Sequence, residues 1–314
     1  MAQGLRLEEE TRLGLMFPGG DGRSALALAR RCEALGFDSL FVGDHLAFHV
    51  PVPDSLSLLA FLAAATERIA LGTGVFLLPL RPPFLAAKAA ATVDLLSGGR
   101  LIFGVGVGGE FPPEFDAAGV PLRERGARTD EAIPLLRRLW REDAVRHEGR
   151  FFRLGPVSLE PRPARPGGPP IWVGGRSPAA MRRAGRLGDG YVSTMTSVER
   201  YRSNLAEVFR HAEASGRGDR PFATAALLFS VLDASHERAA ERAAEVLGRI
   251  YARDFREAAR KYCLLGRPED CLEQMRAYAR AGVRHFLMSP LVDPAAFVEQ
   301  VGAEIVPQAR GLVR

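Results

Sequence analysis

The chain has 314 residues, 47% hydrophobic and 25% charged, the make-up of a soluble globular protein with material for a large buried core. Its net charge of +5 comes from 42 basic and 37 acidic residues scattered among one another, which gives no nucleic-acid footprint. Cys32, Cys263 and Cys271 are too few and too unevenly spaced for a disulfide framework and suit a reducing cytoplasm, and no apolar run nears the roughly 20 residues of a membrane span.

The opening residues 1–12 are polar, lack the apolar centre of a secretion signal, and are expected to form a loose tail. Leu13 to Phe17 reads as a first strand, stopped by Pro18-Gly19-Gly20. Apolar residues at helical spacing from Ser24 end at Gly36, and Phe37 to Val42 then reads as a buried strand running into Gly43-Asp44-His45. Ser55 to Arg68 is a helix, and Ile69 to Leu78 a third strand carrying two internal glycines, Gly72 and Gly74. Glycine weakens a strand, so the pair marks either a bulge, a backbone that meets a ligand, or room for a neighbour. Pro83 opens a helix to Leu96, Leu101 to Gly108 is the fourth strand, and Phe111 to Arg123 reads as loop.

A helix over Glu124 to Trp140 leads into a stretch rich in proline, glycine and arginine. Strands at Ile171–Val173, Gly190–Thr194, Phe222–Leu232 and Val283–Met288 follow, with helices after each and a closing helix over Pro294 to Ala309. Strand and helix alternate throughout, the pattern of a parallel sheet. Eight strands and at least eight helices predict an α/β fold of the (β/α)8 TIM-barrel type over residues 1–314, with 143–169 and 233–266 as insertions. A doubly wound open sheet is the runner-up.

In such a barrel the chemistry sits at the carboxyl ends of the strands, which makes Asp44 and His45 the first candidates for an active site. Gly104-Val105-Gly106-Val107-Gly108-Gly109 matches the dinucleotide pattern on paper, but Phe111-Pro112-Pro113 follows where a helix should open. Gly174-Gly175-Arg176-Ser177 lies between a strand and a helix start and reads as an anion site, or else as a plain turn with Ser177 as helix cap. His45 and His49 are four apart, yet the other strand ends offer no metal partners, so no metal is expected. His285 reads as a histidine of the barrel core. No nucleophile elbow is present. What remains suits a cofactor that carries the redox chemistry while the protein orients it.

Leu35-Gly36-Phe37-Asp38-Ser39-Leu40-Phe41-Val42-Gly43-Asp44-His45, Thr66-Glu67-Arg68-Ile69-Ala70-Leu71-Gly72-Thr73 and Leu96-Ser97-Gly98-Gly99-Arg100 carry a resemblance, as do Glu124 to Glu131, Pro170 to Gly175 and Arg186 to Gly190. In these stretches the chain resembles the luciferase-like monooxygenase superfamily, in particular its coenzyme F420-dependent branch, from about Leu13 to Val306. The resemblance implies a luciferase-like barrel that binds a deazaflavin or flavin at the carboxyl ends of its strands. It places a non-prolyl cis peptide at Gly74-Val75 behind the ring, and a cofactor phosphate at Gly174, Gly175, Arg176 and Ser177. Asp44, Thr73, Gly74, Val75, Val107 and Gly108 are its other cofactor contacts, and His45 and Glu110 its candidates for catalysis. A sugar-phosphate dehydrogenase branch has Gly-Thr-Gly-Glu at the end of strand four. Here the sequence is Gly106-Val107-Gly108-Gly109-Glu110, without the threonine and with the acid displaced by one, which argues against that substrate.

The expected activity is therefore hydride transfer between F420 and a small organic substrate. The alternatives are an FMN-dependent monooxygenase using oxygen on the same scaffold, and a non-catalytic flavin-binding relative. A cytoplasmic homodimer packed through barrel helices, with neither nucleic acid nor membrane as partner, completes the expectation.

Overall fold

Helix caps and glycine stops divide the chain where hydrophobic spacing changes from helical to extended. A computed structural model describes residues 6–18, 21–218 and 220–313. The first half holds β1 (Arg12–Phe17), α1 (Gly22–Ala34), β2 (Ser39–Val42), α2 (Ser55–Ala63), β3 (Ala70–Thr73), β4 (Phe76–Leu77), α3 (Pro83–Leu96) and β5 (Leu101–Gly106). Then come α4 (Pro113–Ala117), α5 (Arg125–Arg141) and the antiparallel pair β6 (Val145–Glu148) and β7 (Arg153–Val157). The second half holds β8 (Ile171–Gly174), α6 (Pro178–Leu187), β9 (Gly190–Thr194), α7 (Val198–Glu213) and β10 (Ala223–Leu232). It ends with α8 (His236–Tyr251), α9 (Arg256–Tyr262), β11 (Leu264–Gly266), α10 (Pro268–Arg280), β12 (His285–Pro290), α11 (Pro294–Glu304) and α12 (Val306–Ala309).

The barrel closes in the order β12-β1-β2-β3-β5-β8-β9-β10 and back to β12, every pair parallel. It is the predicted (β/α)8 barrel. Alternation within each strand builds two cores. Leu40 and Val42 face the surrounding helices, whereas Phe41 points inside, where it stacks on Trp172 at 5.6 Å between ring centres. β5 is buried at all six positions because both of its faces are covered.

Several residues of the recognisable stretches hold this frame. Arg100 donates to the carbonyls of Ala63, Thr66 and Ile69, pinning the turn from α2 to β3. Asp189 accepts from the Ile171 N–H at 2.9 Å and from Arg137 at 2.7 Å. Glu131 accepts from the N–H groups of Phe151 and Phe152 and from His147, anchoring the β6–β7 hairpin.

The expected elements differ from the structure in several places; the helix expected to Arg68 ends at Ala63, and the closing helix is two, α11 and α12. The third strand is two, β3 and β4, separated by a bulge at Gly74-Val75. The fourth strand stops at Gly106 rather than Gly108. Residues 111–123 contain the short helix α4 instead of only loop. The 143–169 insertion carries the β6–β7 hairpin, and 233–266 folds as α8, α9 and β11, with Leu264 beside Ser230 at the end of β10. The tail is also tied down from Arg6, whose carbonyl accepts from Phe222 at 2.9 Å; its first five residues and Gly19-Gly20 lie outside the described residues. Among the described residues no helix is long and apolar enough to cross a membrane.

Candidate active site

β2 delivers Asp44 and His45 to the mouth of the barrel, and the two meet different fates. Asp44 is buried, with 2% of its surface exposed. Its Oδ1 accepts from Ser55 at 2.9 Å and from Arg81 at 2.8 Å; its Oδ2 accepts from the Leu77 N–H at 2.8 Å and from Arg81 at 2.5 Å. Both oxygens are taken. Asp44 fastens β4 to the end of β2, and so holds the bulge in place beside the cavity that it lines.

That bulge carries a cis peptide at Gly74-Val75, the position the resemblance implied. It turns the Val75 side chain over β5 and β8. A Cβ at Gly106 would lie 2.3 Å from Val75, and one at Gly174 would lie 2.8 Å from it. The glycine string of β5 is thus room for the bulge, not a phosphate loop. Thr73 is fully buried with its hydroxyl donating to the Gly104 carbonyl at 2.6 Å, which directs it into the strand pair and away from the cavity.

His45 keeps a free edge. Its Nδ1 lies 3.2 Å from Oε2 of Glu114, whose carboxylate is wholly buried and also accepts from the Leu46 N–H. A carboxylate only accepts, so it selects the tautomer protonated at Nδ1 and leaves Nε2 without a protein partner among the described residues. The ring stacks on Phe48 at 3.9 Å between centres. Phe48 meets Tyr251 and Phe111 edge-on, and His49 meets Phe111, so His49 belongs to an aromatic roof.

Beneath that roof is a cavity of about 260 Å³. Asp44, His45, Gly74, Val75 and Glu110 all line it, so the structure brings five of the predicted site residues together. A larger cleft of about 520 Å³ lies on the outer face of α9, away from the strand ends. Glu110 is exposed at the mouth. Burial first, and then the nearby Glu110 charge, push the Tyr251 phenol up to about 12, so it is a protonated donor at neutral pH.

The Gly174–Ser177 loop flanks the cavity without lining it, as do Val107 and Gly108. Gly175 adopts a φ of 144°, and a Cβ there would meet Ala180 at 2.6 Å. The Ser177 hydroxyl caps α6 by accepting from the Ala180 N–H at 3.2 Å. Ser177 is thus the N-cap of α6. Arg176 is exposed, and among the described residues no carboxylate pairs with its guanidinium and no acceptor meets its N–H or that of Ser177. The loop is held from below by Tyr191, whose hydroxyl donates to the Gly175 carbonyl at 3.0 Å and accepts from Asn204.

A parallel eight-stranded barrel with its cavity, bulge and histidine at the carboxyl ends of the strands defines the luciferase-like architecture. The family model for luciferase-like monooxygenases matches residues 9–285, and the chain belongs to that family. It is 31% identical to an F420-dependent glucose-6-phosphate dehydrogenase of Intrasporangium calvum, over 90% of this chain and 93% of the relative. Among solved structures it is similar to monooxygenase RslO1 from Streptomyces bottropensis, at 26% identity and a TM-score of 0.83 over 95% of this chain and 99% of that one. An F420-dependent secondary alcohol dehydrogenase in complex with an F420-acetone adduct shares the fold at 19% identity, with a TM-score of 0.84 over 97% and 99% of the two chains.

Proposed function

We propose that this protein is an oxidoreductase that uses coenzyme F420 to move a hydride to or from a small organic substrate. The observation that carries the reading is His45, held at Nδ1 by buried Glu114 with Nε2 open, beside the Gly74-Val75 bulge in one cavity. The relatives' F420 dependence supports the choice of cofactor.

The residues present fit such a group. Val75 supplies an apolar wall for a ring, with Asp44 and Arg81 holding the wall behind it. Arg176, together with the unpaired N–H groups of Arg176 and Ser177, suits a phosphate at the start of α6. When bound, the deazaflavin supplies a site that accepts or gives up a hydride. Oxidation of a carbinol also releases its hydroxyl proton, and Nε2 of His45 is the group placed to take it, returning it in the opposite direction. Glu114 stabilises the imidazolium that forms. Tyr251 is a protonated donor on the same cavity, and Glu110 is a second acid at its mouth.

A second reading, an FMN monooxygenase using oxygen, is favoured by the similarity to RslO1. Fluorescence titration with F420 and separately with FMN distinguishes the two. Tight F420 and weak FMN binding, with no oxygen consumed on turnover, supports hydride transfer; the reverse preference with oxygen uptake overturns it.

The assembly we propose is a cytoplasmic homodimer. Leu85 and Leu96 lie eleven residues apart on one face of α3 and are 61% and 62% exposed, with Phe61 of neighbouring α2 also exposed. Leu96→Glu should shift the dimer to monomer in light scattering.

A further inference from the structure

We infer that the substrate is a small, uncharged, mainly apolar alcohol or carbonyl compound, and that the cavity rejects phosphorylated sugars. This rests on the oxidoreductase reading above and goes beyond it by assigning the substrate class from the wall itself.

Val50, Val52, Leu227, Phe229 and Ile250 supply apolar wall, and Thr194, Ser289 and Tyr251 add only neutral hydroxyls. No lysine or arginine is among the residues that line the cavity. A phosphate dianion there would lose its hydration with no cation on the wall itself to replace it, the charges of Arg176 and Arg253 acting on the cavity through its edge at Tyr251, and burying an unpaired charge is strongly unfavourable. The carboxylates add to this. Asp44 is neutralised by Arg81, but Glu110 at the mouth is unpaired among the described residues and repels an anion. Arg176 lies on the neighbouring loop, outside the lining, where it is reserved for the cofactor phosphate. An ammonium group would find a carboxylate partner only in exposed Glu110 at the mouth, because Asp44 is already neutralised by Arg81 and the other lining groups are neutral. A neutral hydroxyl or carbonyl group needs only one or two hydrogen bonds, and His45 Nε2 and the Tyr251 phenol both lack protein partners among the described residues.

The inference departs from what the curated relatives' names would suggest, since those proteins are called glucose-6-phosphate dehydrogenases.

Two measurements on the full chain test it. In the first, ligand-observed NMR on cofactor-free protein, with inorganic phosphate added to fill the Gly174–Ser177 loop, compares cyclohexanol, cyclohexylamine and glucose 6-phosphate. Cyclohexanol should show saturation transfer and the other two should not. Ile250→Glu and Val50→Glu, each checked for folding by circular dichroism, should weaken the cyclohexanol signal about tenfold or more, as expected for a charge set into an apolar wall. In the second, F420-loaded protein should turn over cyclohexanol, or reduce cyclohexanone, with a kcat/KM about 100-fold or more above that for glucose 6-phosphate. Comparable binding of the phosphate or the amine, or cyclohexanol binding indifferent to both variants or absent, overturns the inference. Failure of F420 to bind would overturn the cofactor reading alone, because the NMR comparison still judges the cavity.

Discussion

The two ends of this barrel use the same residue types to opposite ends. At the amino-terminal floor, His285 is 3% exposed and lies 2.7 Å from the Ser39 hydroxyl, with Trp172 and Phe41 edge-on around it. Arg100 there is consumed by backbone carbonyls, and Glu33 accepts from three consecutive N–H groups, those of Glu67, Arg68 and Ile69. At the carboxyl-terminal mouth, His45 keeps Nε2 open, and Tyr251, Glu110 and Arg176 keep groups without protein partners among the described residues. These floor groups spend their polar atoms on partners within the protein. The mouth leaves them available, and that is where chemistry is possible.

The contrast can be broken by substitution, and the largest effect is expected at His45. His45→Ala should lower kcat/KM about 10²–10⁴-fold while leaving the thermal midpoint nearly unchanged, because a general acid–base contributes about that much. Loss of folding instead would mean that His45 is a structural residue like His285. Asp44→Ala comes next. It leaves the Arg81 guanidinium, which is 16% exposed, with Asp54 at 3.8 Å as its only carboxylate partner among the described residues and removes the acceptor for Leu77, so about 3–5 kcal/mol of stability should disappear in urea unfolding. A variant as stable as the parent would show that the bulge holds without it.

The floor histidine gives a pH signature. Burial first, with the Arg12 charge adding to it, lowers His285 from an ordinary 6.5 to about 3. The unfolded chain therefore binds a proton that the folded chain refuses, and stability is fully present above about pH 6.5 and lost as the pH falls toward 3. Between pH 7 and 5 this one group should remove about 2 kcal/mol. Urea unfolding at both values should show that loss in the parent and little of it beyond the common background in His285→Gln; equal losses in both would contradict the assignment. Smallest is Ser177→Ala, where loss of the cap on α6 should cost about 1 kcal/mol of stability. A much larger loss of cofactor affinity than of stability would give Ser177 a direct phosphate contact as well.

Much of this was legible in the sequence, for a physical reason. Strands buried on both faces, such as Leu101 to Gly106, read as continuous apolar runs between glycines, and the alternation with amphipathic helices fixes the parallel barrel. The glycines inside the third strand pointed to a bulge among other readings, and the resemblance placed it at Gly74-Val75. Asp44 was placed at the site, but its pairing with Arg81, Ser55 and the Leu77 N–H was not visible. A carboxylate at a strand end looks the same in sequence whether it is free or, as here, claimed by Arg81, which lies 37 residues further on. Glu114 was missed because five residues of helix behind Pro112-Pro113 carry no periodicity, and an acid in such a stretch reads as a solvated loop. Proline at the first helical position was the one usable signal. Tyr251 was hidden in an insertion whose charged residues gave it no visible connection to the barrel mouth.

The central claim is that Glu114 holds His45 so that Nε2 faces the reacting cavity. It is tested most directly by 15N NMR of histidine-labelled protein at neutral pH, with His45→Gln providing the assignment and Glu114→Gln the comparison. The account predicts the Nδ1-protonated neutral tautomer for His45, with that preference lost in Glu114→Gln. A resonance protonated at Nε2 in the parent, or a tautomer indifferent to Glu114, would contradict it.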